Sequence, residues 1–276
     1  MMRKVLVFVA TAFGIYALFA VTVMLQQDRM IFPAPSGPLP GATAAAELIE
    51  LETPDGERLA ALWHAPEPGE PTVLFLHGNG GAIANYADRI EAFAGQGFGV
   101  LVPAWRGYPG STGRPSEAGI FTDTETAYDF LARQTDGPII VYGQSLGSGA
   151  AVYLATVRDT AALVLEAPYD SVLAVARRRM PWLPVGVLLR HPFRSDLRIG
   201  AVDVPILIVH GSADRVIPID HGRALLAAAP EGAVFREFEG AMHFDIGARS
   251  IAYVIAFIQN VVRDGSTEPR NPLGTG

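Results

Sequence analysis

The sequence predicts one α/β domain, a mostly parallel eight-stranded sheet with helices on both faces, preceded by a single N-terminal transmembrane helix. Three observations predict it. From residue 72 onward, short runs rich in Val, Ile and Leu alternate with amphipathic stretches, as parallel strands buried on both faces and joined by crossover helices do. A serine between glycines, GQSLG at 143–147, stands where one such run gives way to a helix. Residues 5–25 carry no charge at all.

Composition narrows the chemistry before any motif is read. The chain has 276 residues, half of them hydrophobic, enough for the core of one large domain. Its 28 acidic side chains outnumber 21 basic ones, and a net charge of −7 argues against a nucleic-acid partner, which needs a basic face. With no cysteine there are no disulfides, thiolate zinc sites, iron–sulfur clusters, cysteine nucleophiles or lipidated cysteines. Lys4 is the sole lysine, so the soluble part has no catalytic lysine.

The uncharged run at 5–25, VLVFVATAFGIYALFAVTVML, would make about 31 Å of helix, the thickness of a bilayer core. A cleaved signal peptide is the alternative, but its apolar region is shorter. The best cleavage candidate, Leu18-Phe19-Ala20, also has leucine where a small side chain is wanted. The run therefore reads as an uncleaved signal-anchor behind a short basic N-terminus, 1–4. Arg3 and Lys4 precede it while Asp28 and Arg29 cancel, so the positive-inside rule puts the body on the non-cytoplasmic (periplasmic or extracellular) side of a single-pass protein. Residues 26–46 read as a tether, with four prolines and two glycines from residue 30 on. Residues 264–276 have the composition of a disordered tail.

Between these ends lies the domain, 47–263. Strands are expected at 47–53, 58–65, 72–77, 98–104, 138–143, 161–167, 205–210 and 233–239, the first two as an antiparallel hairpin. Helices are expected at 82–95, 116–134, 146–158, 170–180, 219–229 and 247–262. Ligands of such sheets bind at the carboxyl ends of the strands.

G-x-S-x-G between a strand and a helix puts a serine on a sharp turn. The residues two before and two after it must lack side chains for strand and helix to approach. The turn presents the Ser145 hydroxyl beside a helix N-terminus, whose amides favour developing negative charge. A serine needs a base, and the base an orienting acid, in the chain order Ser, Asp or Glu, His. His243, after the last strand in EGAMHFD, and Asp214, after the PILIVH strand, stand on the same sheet edge as Ser145.

Rivals exist for both partners. Asp170, after the sixth strand, is the alternative acid, and it would otherwise serve as a helix N-cap. Asp245 is too close in sequence to His243 to orient it. His77 and His210 each end a strand before glycine and read as structural. His64 falls inside an early strand, while His191 and His221 lie in an insertion and at a helix start. The oxyanion hole needs the amide after the nucleophile, Leu146, and one from the glycine-rich loop HGNGG, where Asn79 is the expected donor and Gly80 the second choice.

Together HGNGG, PAWRGYPGSTGRPSEAG, YGQSLGSGAA, LEAPYDS, PILIVHGSADRVIP and GAMHFD resemble the α/β-hydrolase superfamily over nearly all of 47–263. They look like its membrane-anchored serine-hydrolase group, often labelled lysophospholipase-like or serine-aminopeptidase-like. The resemblance implies Ser145, Asp214 and His243 as catalytic triad and the Asn79 and Leu146 amides as oxyanion donors, with no cofactor and no metal. Two departures stand out. PAWRGY lacks the acidic residue that commonly precedes the aromatic-Arg-Gly, and Ser148 stands where a further glycine is usual. Arg106 is expected to brace loops. Serine at 145, where a dehalogenase needs aspartate, excludes haloalkane chemistry.

Residues 171–204 are the expected cap insertion, with the apolar stretch MPWLPVGVLL flanked by Arg177, Arg178, Arg179 and Arg190. It reads either as packing over the core or as an acyl-binding wall or membrane-touching lid. The expected activity is hydrolysis of a carboxylic ester or thioester, of a small molecule or a lipid. A peptide or amide hydrolase and a non-catalytic anchored scaffold are the alternatives.

Overall fold

The computed structural model describes residues 1–35 and 45–264. Chain order begins with α1 (Met2–Ile31), then β1 (Glu47–Glu52), β2 (Arg58–His64) and β3 (Thr72–Leu76). Next come a 3₁₀ turn at Ile83–Tyr86, α2 (Ala87–Ala94), β4 (Gly99–Pro103), α3 (Glu117–Gln134) and β5 (Ile139–Gln144). The second half holds α4 (Leu146–Leu154), β6 (Ala162–Glu166), α5 (Val172–Arg179), a short α6 (Val185–Leu188), β7 (Ile206–Gly211), α7 (Ile219–Ala228), β8 (Val234–Phe238) and α8 (Ile246–Asp264). All eight expected strands are found within a residue of their expected ends.

The sheet order is β1-β2-β4-β3-β5-β6-β7-β8. β1, β2 and β4 pair antiparallel, and every other neighbour is parallel. The continuous apolar runs explain the centre: β3, β4, β6 and β7 are buried at every position, covered by α2 and α8 on one face and by α3, α4 and α7 on the other. β8 is a partly exposed edge, with no fully buried position. From β3 the chain leaves toward β4 on one side, then returns to β5 on the other. The loops after β3 and β5 diverge there, and a crevice opens at their carboxyl ends.

Helix α1 departs from expectation at its end. It runs to Ile31, six residues into the segment expected as tether, because no helix breaker occurs before Pro33. Residues 36–44 of that segment, and the expected tail beyond residue 264, lie outside the described residues. Over Met2–Ile31 the helix has a mean hydropathy of 2.3 in its most apolar window and is long and apolar enough to cross a membrane. Its second half is not bare. Ala20 and Val23 pack against a small apolar cluster of Leu173, Ala176, Leu183 and Val185 in the insertion. Phe19 meets the Trp182 ring, and the Tyr16 hydroxyl donates to the Trp182 carbonyl. Gln27, buried, donates to the Leu188 carbonyl and accepts from the Arg190 amide. The Arg190 guanidinium in turn pairs with Asp28 at 2.8 Å.

Arg106 ties three segments together from the loop after β4. Its amide and Nε donate to Asp123 on α3, at 2.9 and 2.8 Å, and its terminal nitrogens to Asp55 in the β1–β2 turn, at 2.7 and 3.1 Å. Arg106 and Asp123 are buried, so neither charge has water to fall back on. Arg106→Met should therefore cost about 3–5 kcal/mol in denaturant-midpoint measurements, since it strands the Asp123 carboxylate. Hydrogen bonds from Arg106 and Thr53 hold Asp55 down at about 2, from an ordinary 3.8. A depressed carboxyl stabilises above its unfolded value and loses that contribution as pH falls through the folded one. Asp55→Asn should accordingly flatten the fall in Tm between pH 4 and 2.

Candidate active site

Ser145 sits between β5 and α4 with φ of 49° and ψ of −115°, a left-handed conformation that a side chain resists. The turn closes because the flanking glycines leave room. A Cβ on Gly143 would stand 2.6 Å from the Gly147 carbonyl oxygen, and one on Gly147 would stand 2.0 Å from the Leu76 carbonyl oxygen on β3. The Ser145 amide donates to the Glu166 carbonyl on β6 at 2.9 Å, pinning the turn to the neighbouring strand. Ser148, where a glycine is usual, is buried and donates its hydroxyl to the Ser145 carbonyl at 2.6 Å.

Around this turn the chain brings three side chains into one line. His243 Nε2 lies 3.1 Å from the Ser145 hydroxyl, and its Nδ1 lies 2.7 Å from Asp214 Oδ2. The other Asp214 oxygen accepts the amides of Val216 and Ile217, both at 2.8 Å. Burial opposes the Asp214 charge, but hydrogen bonds from His210, His243 and the Ile217 amide hold its carboxyl well below the usual carboxylate range. A cavity of about 300 Å³ opens over Ser145, and Asn79, Leu146 and Tyr169 line its polar end. Asn79 is held twice. Its carbonyl accepts the Tyr108 hydroxyl at 2.8 Å, and its side-chain amide donates to the Ile31 carbonyl at 3.3 Å. Gly80 does not line the cavity.

Residues 71–191 match the family model of the alpha/beta hydrolase fold. An uncharacterised protein of Mycobacterium tuberculosis is 37% identical over 229 residues, covering 80% of this chain and 81% of its own. The alpha/beta hydrolase domain-containing protein WAV2 of Arabidopsis thaliana is 32% identical over 72% of each chain. This chain belongs to the α/β-hydrolase family. The lysophosphatidylserine lipase ABHD12 of Rattus norvegicus is 29% identical over 75% of this chain and 60% of its own. Among solved structures, the Pyrococcus furiosus esterase Pf2001 superposes with a TM-score of 0.67 at 16% identity, covering 83% of this chain and 98% of that one.

Within this α/β-hydrolase the rival residues are placed elsewhere. Asp170 does not reach His243; it pairs with His221 Nδ1 at 2.7 Å. Nor does it cap a helix, because Ser171 caps α5 through the Ala174 amide. Asp170 instead spends its Oδ1 on the Ser171 amide at 2.9 Å and on His221. Asp245 accepts the Met242 amide at 2.6 Å, shaping the loop that carries His243. His77 is fully enclosed, donates to the Gly78 carbonyl, and burial pushes it down to about 4, so it is neutral at neutral pH. His210 Nε2 bonds the Ile217 carbonyl at 2.9 Å. His64 bonds the Ala45 carbonyl, and His191 touches Asp28.

One buried group is absent from the sequence reading. Glu166, at the end of β6, receives both terminal nitrogens of Arg89 at 2.6 and 2.9 Å, Gln144 Nε2 at 2.8 Å and the Tyr142 hydroxyl. Burial disfavours this charge, yet the Arg89 guanidinium with these donors keeps the Glu166 carboxyl below its usual range. The signal was available: an acidic residue inside the apolar run AALVLEA, with an arginine on the helix expected at 82–95. Gly247 completes the arrangement, since a Cβ there would meet Arg89 Nη2 at 1.3 Å.

Alanine for glycine inside a helix ordinarily stabilises by about 1 kcal/mol. At Gly147 the added methyl meets β3 backbone, and the expected result is reversed. Gly147→Ala should lose roughly 1–3 kcal/mol by overpacking, read as a lowered Tm.

Proposed function

We propose that this α/β-hydrolase is a membrane-anchored serine hydrolase that cleaves a carboxylic ester or thioester through an acyl-enzyme. The unbroken hydrogen-bonded line from Ser145 through His243 to Asp214 carries the reading. Ser145 Oγ attacks the substrate carbonyl while His243 Nε2 takes its proton. Asp214 accepts the Nδ1 proton of His243, fixing the tautomer and stabilising the imidazolium that forms. Its second oxygen is held by two backbone amides, so the carboxylate keeps its aim as charge moves. The tetrahedral oxyanion is bound by the amides of Leu146 and Asn79, backed by the α4 N-terminus. His243 then protonates the leaving group, and water hydrolyses the acyl-enzyme by the same steps in reverse order.

Helix α1 is the anchor, with residues 5–25 in the hydrocarbon and the body on the non-cytoplasmic side, the side that the Arg3 and Lys4 charges select. Similarity to a protein named as a lysophosphatidylserine lipase, and the fold shared with an esterase, support ester chemistry over amide cleavage.

Detergent-solubilised protein should label with a fluorophosphonate, and Ser145→Ala should abolish the label. Unlabelled wild type would overturn the proposal. The two acids make a sharper contrast. Asp214→Asn should lower kcat about 10⁴-fold by leaving His243 in the wrong tautomer, whereas Asp170→Asn should stay within a few-fold of wild type in ester hydrolysis. Equal losses would sink the assignment of Asp214.

A further inference from the structure

The Ser145 cavity does not end at the sheet. Past Asn79 and Leu146 its walls are apolar apart from Arg179, which donates to the Val216 carbonyl, and include Met30 and Ile31 of α1 and Val172, Ala176 and Met180 of the cap. These same five residues also line a second cavity, of about 70 Å³, which continues between α1 and the cap. There it is walled by Val23 and Met24 on one side and by Leu183, Val185 and Leu189 on the other. Together the two adjoining cavities follow α1 over about 12 Å of its axis, from Val23 to Ile31.

Depth along α1 says where this path leads. Trp182 meets Tyr16, nine residues before Leu25, which puts the cap's contact about 14 Å down the helix axis. That is roughly one leaflet of a 30 Å hydrocarbon core. Trp182, although it meets Phe19 of α1, is 53% exposed and Val187 is 87% exposed, two large apolar side chains of the cap left facing outward. Arg178 and Arg190 remain on the exposed flanks, as residues at a headgroup level do.

We propose that the cleft between α1 and α5–α6 is the acyl-chain site of this hydrolase, open to the leaflet that α1 enters, so that a single-chain lipid ester arrives with its hydrocarbon tail along the enzyme's own membrane helix. The proposal rests on the reading of Ser145 as nucleophile and of α1 as the anchor. It commits to a hydrocarbon chain for two reasons. The cleft adjoins the Ser145 cavity, five residues lining both, and Gln27, the one polar side chain on its wall among the described residues, spends its amide on Leu188, Met24 and Arg190. The carbonyl of such a substrate sits at Ser145 and its leaving group faces the polar end of the cavity.

The test attaches a probe to Ser145 itself in full-length protein held in nanodiscs. The probe is a single-chain alkyl fluorophosphonate with a diazirine at the chain end. Ser145 Oγ forms a bond to phosphorus, fluoride leaves, and His243 takes the hydroxyl proton. After photolysis, crosslinks should map to Val23–Gln27 of α1 or to 183–189 of the cap. Phosphonylation with crosslinks elsewhere would overturn the acyl site while leaving the hydrolase reading intact. Absence of phosphonylation would overturn both.

A kinetic measurement stands beside it. From butyryl to octanoyl to lauroyl esters, kcat/KM should rise about three- to fourfold per methylene until the chain end reaches Val23 and Leu189. In Ala176→Trp the ratio of lauroyl to butyryl kcat/KM should fall more than tenfold. An unchanged ratio in a variant that still labels with a short fluorophosphonate would count against the site.

Discussion

At Ser145 the backbone is forced into a left-handed conformation, and much of the molecule is arranged to hold it there. A non-glycine residue in such a region costs of order 1–3 kcal/mol, which the surroundings must offset. They do so on three sides. β3 lies close enough to exclude any side chain at 147, β6 accepts the Ser145 amide, and α4 accepts the strand only because 143 is also bare. The result is a hydroxyl that points out of the sheet edge rather than into a strand or helix. Without that turn His243 and Asp214 would line up against nothing.

The same end of the sheet contains a second charged group that does not face substrate. Arg89, Glu166, Tyr142 and Gln144 form a closed set of hydrogen bonds below the turn, and Tyr86 extends it by donating to Gln144 Oε1 at 2.9 Å. Gln144 immediately precedes Ser145, and Glu166 supplies both the carboxylate and the carbonyl that receives the Ser145 amide. A buried pair of this kind adds little net stability against an apolar substitute, but every partner in it has one geometry. Its contribution is positional: it fixes β5 relative to β6 at the point where the turn leaves the sheet. Tyr108 and Trp105 act similarly from the loop after β4, bonding the Asn79 and His77 carbonyls and setting the glycine-rich loop.

What could be read in the sequence and what could not divide along physical lines. The strands were legible because an apolar run between turn residues has few other uses, and G-x-S-x-G because its glycines answer a steric demand local to five residues. Which acid faces His243 is not local. Asp170 and Asp214 each follow a core strand, and only the side-chain directions, one toward His221 and one toward His243, separate them. Ser171 displaced Asp170 as N-cap for a similar reason, since two adjacent capping residues differ only in which one the chain bends at. Glu166 stands out as an acidic residue in an apolar run, but its pairing with Arg89, 77 residues away, is not something local pattern specifies. The end of α1 was hidden by the prolines after it, which mark where a helix must stop and not how far it may run before them.

That misplaced boundary has the largest consequence. Under the proposed anchoring by α1, a flexible tether beginning at residue 26 would let the body swing free, and the site would sample the bilayer only by diffusion. A helix that continues to Ile31 does the opposite, because Gln27 and Asp28 lock it to the cap and the Ile31 carbonyl is bonded by Asn79. The loop expected to bind the oxyanion and the helix expected to bind the membrane thus meet at one hydrogen bond. Met30 and Ile31 belong to the wall of the cavity over Ser145 as well as to α1. Cutting the chain after Ile31 to obtain a soluble domain would therefore remove part of that wall, and activity lost on such a truncation would report on the cavity as much as on the membrane.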